Sequence, residues 1–587
     1  MLFIKVMELF LLLRKGKLIE KSTFRETRKK FFEPDCMVLN AGDFLLLING
    51  KSLSDKDAVY QDSRGFLAGT GTFSYRGRCP YESLSMLYAD LDSELFDSRQ
   101  LLGHYFIFYF TGSSLKVLSD GASLVKAYHD PSGSFLSSSF LVASSLQERL
   151  TINRFAVMEN LCSGGITGNE TMVNEIIRFT WTSQPMFKEI IFIFPVIFSD
   201  YDEPRSISEA LEQQSDLLDS YFKSFNHLAE KAGTDIGLTG GYDSRLVLAY
   251  ARRHFRNFQV HSHYRRIPST ELAIARQIAE GEDIPFVSPK VKYLDEMNDE
   301  AIHQVMEDSF VFYDGNIRIH CNWLEEYNTL QYRLGILGNR RLGISGIGGE
   351  QYRNQERLLG KHWSFRQWLK YDFLKRGHIN RILNHKTEDE LLNRIESKIL
   401  TSLNLPGSLD RMSLADLKKI QNEVIIPACR GARTDAENRY TWFLSPFADP
   451  ALSFPAYKIS KFLNSCRDFE GSMIKNCDRA LAGYTTDYGY DLIKGEPVCN
   501  CLISTAFENF LPASVKWTVR KWIKYRRKED MIRERIKTSP LLQQYVNNLV
   551  SLGLPLSVNG LISRDDTAHL AVSYGFVLEK LKKLKDR

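Results

Sequence analysis

The sequence predicts an α/β protein with a β-rich front, a parallel sheet covered by helices, and a helical end. Three observations carry this. Residues from about 40 to 200 hold short apolar or aromatic runs bounded by Gly, Ser and Asp, as strands do. From about 205, strand-length apolar runs alternate with runs at helical spacing, the rhythm of βαβ units. Past 510 the chain reads as helix and is basic. A chain of 587 residues is too long for a single core. We therefore expect three parts, 1–205, 206–510 and 511–587.

Residues 1–13 are apolar, but Lys5 and Glu8 interrupt them and they are too short to span a bilayer. No small-residue cleavage site follows, so a strand or amphipathic element is expected rather than a signal peptide. The clearest strands of the front are 44–49, 66–75, 104–110 and 115–119. Ser206 followed by Glu209 is a helix start signal. Strands at 235–238, 259–263 and 284–287 then alternate with helices at 244–254 and 270–280, and 360–430 reads as helices. Lys516, Arg520, Lys521, Lys524, Arg526, Arg527 and Lys528 crowd one stretch, with Trp517, Trp522 and Tyr525 between them. That run reads as a solvated helix face, with a membrane surface or an anionic substrate or carrier as alternative contacts.

Hydrophobic content of 43% and charged content of 25% are those of a soluble globular protein. A net charge of +5 is too small to argue for nucleic acid. Nine cysteines without regular spacing make no disulfide framework, and Cys499 and Cys501 lack a second pair for zinc. Free thiols suit a reducing cytoplasm, and no long apolar run predicts a transmembrane helix.

The most informative stretch is 235–249, where a short apolar run ends in Gly240 and Gly241, then Asp243 and Ser244, then a helix-like run. This is the layout of a nucleotide phosphate site. Glycine accepts φ > 0 and has no Cβ, so its amide can approach an anion closely. A helix starting near Asp243 aims free N–H groups and a positive dipole end at the same place. Asp243 beside phosphates makes sense if it holds Mg²⁺. No Gly-Lys-Ser/Thr follows, so this is not the Walker loop.

Leu238-Thr-Gly-Gly-Tyr-Asp-Ser244 resembles the pyrophosphate loop of ATP pyrophosphatases, and its Arg-Leu-Val-Leu-Ala continuation resembles the asparagine synthetase branch. Thr239 stands for the usual Ser and keeps the hydroxyl. A second anchor lies 107 positions on from Asp243, at Glu350 (350 − 243). Residues 342–351 resemble the family's Leu-Ser-Gly-x-Gly-x-Asp-Glu segment. The resemblance implies nucleotide contacts from Leu238, Thr239, Gly240, Gly241, Asp243, Ser244, Ser345, Gly346 and Gly348. It implies Mg²⁺ on Asp243 and Glu350, with Glu standing for the family's Asp, and it implies two loops facing one site at the carboxyl ends of parallel strands.

The front resembles the glutaminase domain of the same family, an Ntn-hydrolase-like β-rich sandwich, joined to a PP-loop parallel-sheet synthetase domain. Segments 103–108, 115–121 and 140–145 follow the family order, and Asp120 matches. Active members use an N-terminal Cys with its own amine as base. Here the chain opens Met1-Leu2, and Cys36 lacks the expected Gly-Ile after it. A scaffold without glutaminase chemistry is therefore expected, with Cys36 a packed residue. Residues 435–449 resemble the family's Glu-x-Arg-x-Pro-Phe-Leu-Asp segment. Glu437 takes the place of a carboxylate that orients or deprotonates an amine, or it forms a salt bridge with Arg439 or Arg433. Asp449 reads as a cap or brace. The family's late Lys has no counterpart in 479–490, leaving Lys494 as the preferred candidate and Lys475 as the other. The expected activity is an ATP-dependent amide-forming ligase that adenylates a small-molecule or peptide carboxylate and transfers ammonia or a substrate amine. The alternative is a non-catalytic nucleotide-binding scaffold.

Overall fold

The structure is a computed structural model. It describes residues 7–585 except 17–18, 52–57, 79, 113, 181–186, 195–201, 264–269, 319, 355–363, 375–381, 406–409, 464–466, 501–514 and 516–530. The fold is α/β, with three sheets and a larger share of helix than strand. The basic run at 516–528 lies outside the described residues.

Two sheets build the front. One is antiparallel, in the order β10 (Ile177–Arg178), β8 (Tyr128–His129), β9 (Phe135–Ser137), β1 (Leu9–Arg14), β3 (Phe44–Asn49), β2 (Met37–Ala41). The other runs β11 (Ile190–Ile193), β7 (Ser114–Ser119), β6 (Leu101–Thr111), β5 (Gly65–Tyr75), β4 (Val59–Gln61), and is antiparallel except for the β11–β7 pair. Their inner faces meet through Phe10, Leu12, Leu46, Phe106 and Phe108. The Phe10 ring lies 4.8 Å from that of Phe108. The outer face of the first sheet, through Leu9, Leu11 and Leu13, packs on helices that include Phe140–Leu146. The outer face of the second, through Leu67, Ile107 and Tyr109, packs on Pro80–Asp92. The result is four layers, helix–sheet–sheet–helix. It explains why β1 and β6 read as unbroken apolar runs: both of their faces are buried, so alternation disappears.

The third sheet is wholly parallel, in the order β14 (Phe286–Val287), β13 (Phe258–His261), β12 (Thr234–Gly237), β15 (Leu342–Ile344), β16 (Trp442–Leu444). Chain order grows outward from β12 on one side and jumps to β15 on the other. The switch point, where ligands bind in open α/β sheets, therefore lies between β12 and β15. Helix Ile207–Ser224 precedes the sheet, and Ser206 caps it by accepting the Glu209 N–H at 3.1 Å. Helices Tyr242–His254 and Thr270–Gly281 follow β12 and β13. In 360–430 the described elements include two π-helical stretches, Leu369–Phe373 and Gln421–Arg430, the second with Pro427 inside it. Sequence periodicity does not foresee them.

The front sandwich closes over the edge strand β16. Phe443 N–H donates to Thr72 Oγ1 at 2.8 Å, Ser445 N–H to His104 Nε2 at 3.1 Å, and Gly103 N–H to Asp449 Oδ2 at 2.6 Å. Lys51, buried, pairs with Glu8 and donates to the Asn438 carbonyl. The C-terminal helices, among them Pro540–Val550 and Asp565–Lys585, bury Tyr545, Tyr574 and Phe576 in the same core as Phe310 and Trp323. Among the described residues, no helix is long and apolar enough to cross a membrane.

Candidate functional site

The first glycine loop leaves β12 with Leu238, buried, whose N–H bonds the His261 carbonyl at 2.8 Å. The loop then closes on itself. Thr239 N–H donates to Ser244 Oγ at 3.0 Å, the two hydroxyls stand 3.0 Å apart, and Gly241 N–H donates to Thr239 Oγ1 at 3.3 Å. The following helix starts at Tyr242 rather than Ser244, with Gly241 as its cap at φ −82°. Glycine is needed here for space rather than for a left-handed backbone. Neither Gly240 nor Gly241 has positive φ, but a Cβ on Gly240 would stand 3.1 Å from both Asp487 Cβ and Ile274 Cδ1.

The second loop leaves β15 next door. Ser345 N–H bonds the Leu444 carbonyl at 3.0 Å, and Gly348 has φ +94°. A Cβ on Gly346 would lie 2.9 Å from the Asp243 carbonyl carbon and 3.0 Å from Ser244 N, and one on Gly349 would collide with the Asp243 carboxylate. The two loops are therefore in backbone contact. Asp243 and Glu350, both partly exposed, share one acid cluster with buried Glu470, which helix Asp468–Cys477 delivers. Arg353 sits among them, 2.9 Å from Asp243 and 3.2 Å from Glu470. Glu350 pairs with Arg430. Burial raises the Glu350 carboxyl, but Arg430 and Arg353 outweigh it and hold the group below its ordinary value. Burial, then the charge of Asp243, pushes Glu470 well above the usual carboxylate range.

Lys418 and Arg430 come from one continuous segment, helix Leu414–Ile420 running into the π-helix Gln421–Arg430. Lys418, buried, donates to the Glu350 and Arg353 carbonyls, both at 3.0 Å, and so braces the second loop. Arg245, also buried, donates to the carbonyls of Tyr484 at 2.7 Å and Thr485 at 3.0 Å. Asp487 N–H bonds the Gly240 carbonyl at 3.1 Å. The 484–487 strap is thus pinned over the first loop.

Hard carboxylate oxygens in this number suit Mg²⁺ in kind. Asp243 Oδ1 and Glu470 Oε1 are buried beside each other, a pair that either a shared proton or a cation satisfies. Among the described residues no group of three or more His, Cys, Asp or Glu stands ready to hold a metal by itself. Any Mg²⁺ would therefore rely on phosphate oxygens and water beyond Asp243 and Glu350.

Two of the expected residues stand apart from the loops. Glu437 is buried, with Arg433 Nε 2.8 Å from one carboxylate oxygen and Arg333 on the other. Arg333 reaches on to Asp235 at 2.6 Å, and His261 meets the same carboxylate at 2.9 Å. Glu437 is thus joined to the strand that feeds the first loop, with the Arg433 salt bridge present. Lys494 is 85% exposed in its side chain and pairs with Asp491 at 3.4 Å. Lys475 is exposed on helix Asp468–Cys477. Asp449 caps helix Pro450–Lys458 through Ala451 N–H at 2.9 Å while bracing Gly103. Cys36 is a free, half-buried thiol.

Sequence reasoning missed Arg353, Glu470, Arg430 and Lys418. Only Arg353 carried a signal, its nearness to Glu350. The others come from elements 68 to 120 positions from the loop each one serves (418 − 350; 470 − 350). The chain matches no protein-family model and no curated protein.

Proposed function

We propose that the protein is an ATP-dependent amide-forming ligase, asparagine synthetase-like, with an Ntn-type front domain and a PP-loop synthetase domain. One observation carries the reading. Two glycine loops leave adjacent parallel strands at the switch point of the sheet, touch through their backbones, and bring Asp243 and Glu350 into one acid cluster.

On this reading a substrate carboxylate attacks the α-phosphorus of ATP. Pyrophosphate leaves toward Thr239–Ser244 and the Gly346–Gly348 turn, where amides and a helix N-terminus stabilise its charge. Ammonia or a substrate amine then displaces AMP from the acyl-adenylate. Asp243 and Glu350 would hold Mg²⁺, which supplies charge neutralisation when bound. Arg353, already at the cluster, is a better placed source of fixed positive charge than the exposed Lys494. Glu437 fits a role in holding Arg333 and Arg433, since both of its oxygens are taken. The front domain serves as a scaffold that braces 435–449.

The competing reading, a nucleotide-binding scaffold, is favoured by the fully paired Glu437 and the outlying Lys494. Pyrophosphate release from ATP–Mg²⁺, measured across amino, sugar and peptide acids with ammonia or glutamine, separates the two. Release provoked by one acid class, with an amide product, supports the ligase. ATP binding with no release for any acid supports the scaffold.

A further inference from the structure

Away from the loops, three buried cations lie together where the front sandwich meets the segments at 316–318 and 427–429. Arg178, at the end of β10, is 4% exposed and bonds only backbone carbonyls, Ile166 at 2.7 Å and Gly168 at 3.1 Å. Lys126 is 3% exposed and donates to the carbonyls of Ser123 at 2.8 Å and Pro427 at 2.6 Å. Arg318 is 3% exposed, bonds the Ile317 carbonyl at 2.7 Å, and leaves its buried Nε without a partner. Among the described residues, none of the three has a carboxylate at ion-pair distance. Arg439 pairs with Asp314 and Asp435, and Arg333 with Asp235 and Glu437, whereas buried Arg245, like Arg178, bonds backbone carbonyls.

An uncompensated buried charge is costly, and three near one another are costlier. Burial, then Arg318, pushes the Arg178 guanidinium down to about 10; burial, then Arg178, pushes Lys126 down to about 7. Asp435, which accepts the Lys126 backbone N–H at 2.9 Å, and Asp120 offset Lys126 in part, and Glu159 offsets Arg178, but burial and the neighbouring cations outweigh them. Arg178, Arg318, Asn316 and Tyr128 line a small, partly open space with room for about one water-sized particle. Its one acidic wall residue, Glu170, is already held by Arg394 and Lys398.

We propose that this space binds one small monovalent inorganic anion, of chloride size, between Arg178 and Arg318, with Lys126 as further positive charge. The anion supplies the missing counter-charge and ties the front sandwich, through β10, to the segment around Arg318. The site is independent of the phosphate loops, so it stands or falls apart from the ligase reading.

Two measurements on the full chain test it. Crystals grown or soaked in bromide should give an anomalous peak between Arg178 and Arg318. The unfolding temperature of the parent should rise by about 2 °C from sodium gluconate to sodium chloride at equal ionic strength, as binding to the folded state requires. Arg318→Met should lose that rise. Absence of the bromide peak overturns the proposal, and needs no variant to fold. A chloride response kept in full by Arg318→Met also overturns it, because the effect is then a general one of salt.

Discussion

Asp243 lies at the first helical turn after Gly241, where the dipole favours an anion, yet Glu350 and Glu470 crowd it. Arg353 offsets part of that repulsion. What remains is a carboxylate with one oxygen on Arg353 and the other unbonded. If that oxygen is the metal's, Asp243→Asn should abolish the Mg²⁺-dependent tightening of ATP binding. It should cut pyrophosphate release on the order of a hundredfold or more. The unfolding midpoint should change little, because Arg353 keeps Glu470 as a partner. Calorimetric titration of ATP with and without Mg²⁺ decides this; a variant that binds ATP–Mg²⁺ like the parent removes the metal role.

At the scale of the element, the segment Leu414–Arg430 delivers Lys418 and Arg430 to one loop from two successive kinds of helix. The π-helical part widens the turn around Pro427, which cannot donate to the ladder. It also carries Glu423, which burial pushes up to about 7, with Tyr457 donating to it at 3.4 Å. The folded state therefore holds this proton to higher pH than the unfolded chain, whose carboxyl titrates in the ordinary range. Stability from this group is present in acid and falls as pH rises through the window from about 4.5 to about 7. Glu423→Gln cannot ionise. It should be more stable than the parent by about 3 kcal/mol at pH 8 and by less than about 1 kcal/mol at pH 5, by urea unfolding. An equal difference at both values would mean that the effect is packing rather than charge.

At the scale of the molecule, polar contacts join the front sandwich to the parallel sheet beside apolar ones such as Leu124 on Ile426. Lys51 and Glu8 are buried in this seam, with Gly71 N–H on the same Glu8 oxygen at 2.7 Å and the Asn438 carbonyl on Lys51. Asn438 neighbours Glu437, so this seam holds the stretch that the ligase reading needs. Breaking one partner of a buried pair leaves the other charge uncompensated. Lys51→Met should cost about 3–5 kcal/mol in chemical unfolding, and Glu8→Gln combined with Lys51→Met should recover part of that loss. No recovery in the double variant would mean that the lysine acts through the Asn438 carbonyl alone.

Local physics made much of this readable. The 235–249 stretch showed its strand, loop and helix because glycines, a hydroxyl and helical spacing sit within 15 residues. The structure moved the edges by one or two positions: β12 ends at Gly237, and the helix opens at Tyr242. The β-rich front was equally plain, from runs whose both faces are buried. The parallel character of the third sheet followed from the alternation of elements.

What the sequence by itself determined is therefore local: where strands and helices lie, and which two glycine turns carry the acids. Only the tertiary structure decided the order of strands about β12, and with it that the two turns touch. It also decided that Glu470, Arg430 and Lys418 join Asp243 and Glu350, and that Lys494 stays in solvent. The physical reason is range. Capping, periodicity and glycine chemistry act within a turn or two of the chain. Compensation of buried charge acts through space, between residues whose separation along the chain carries no pattern.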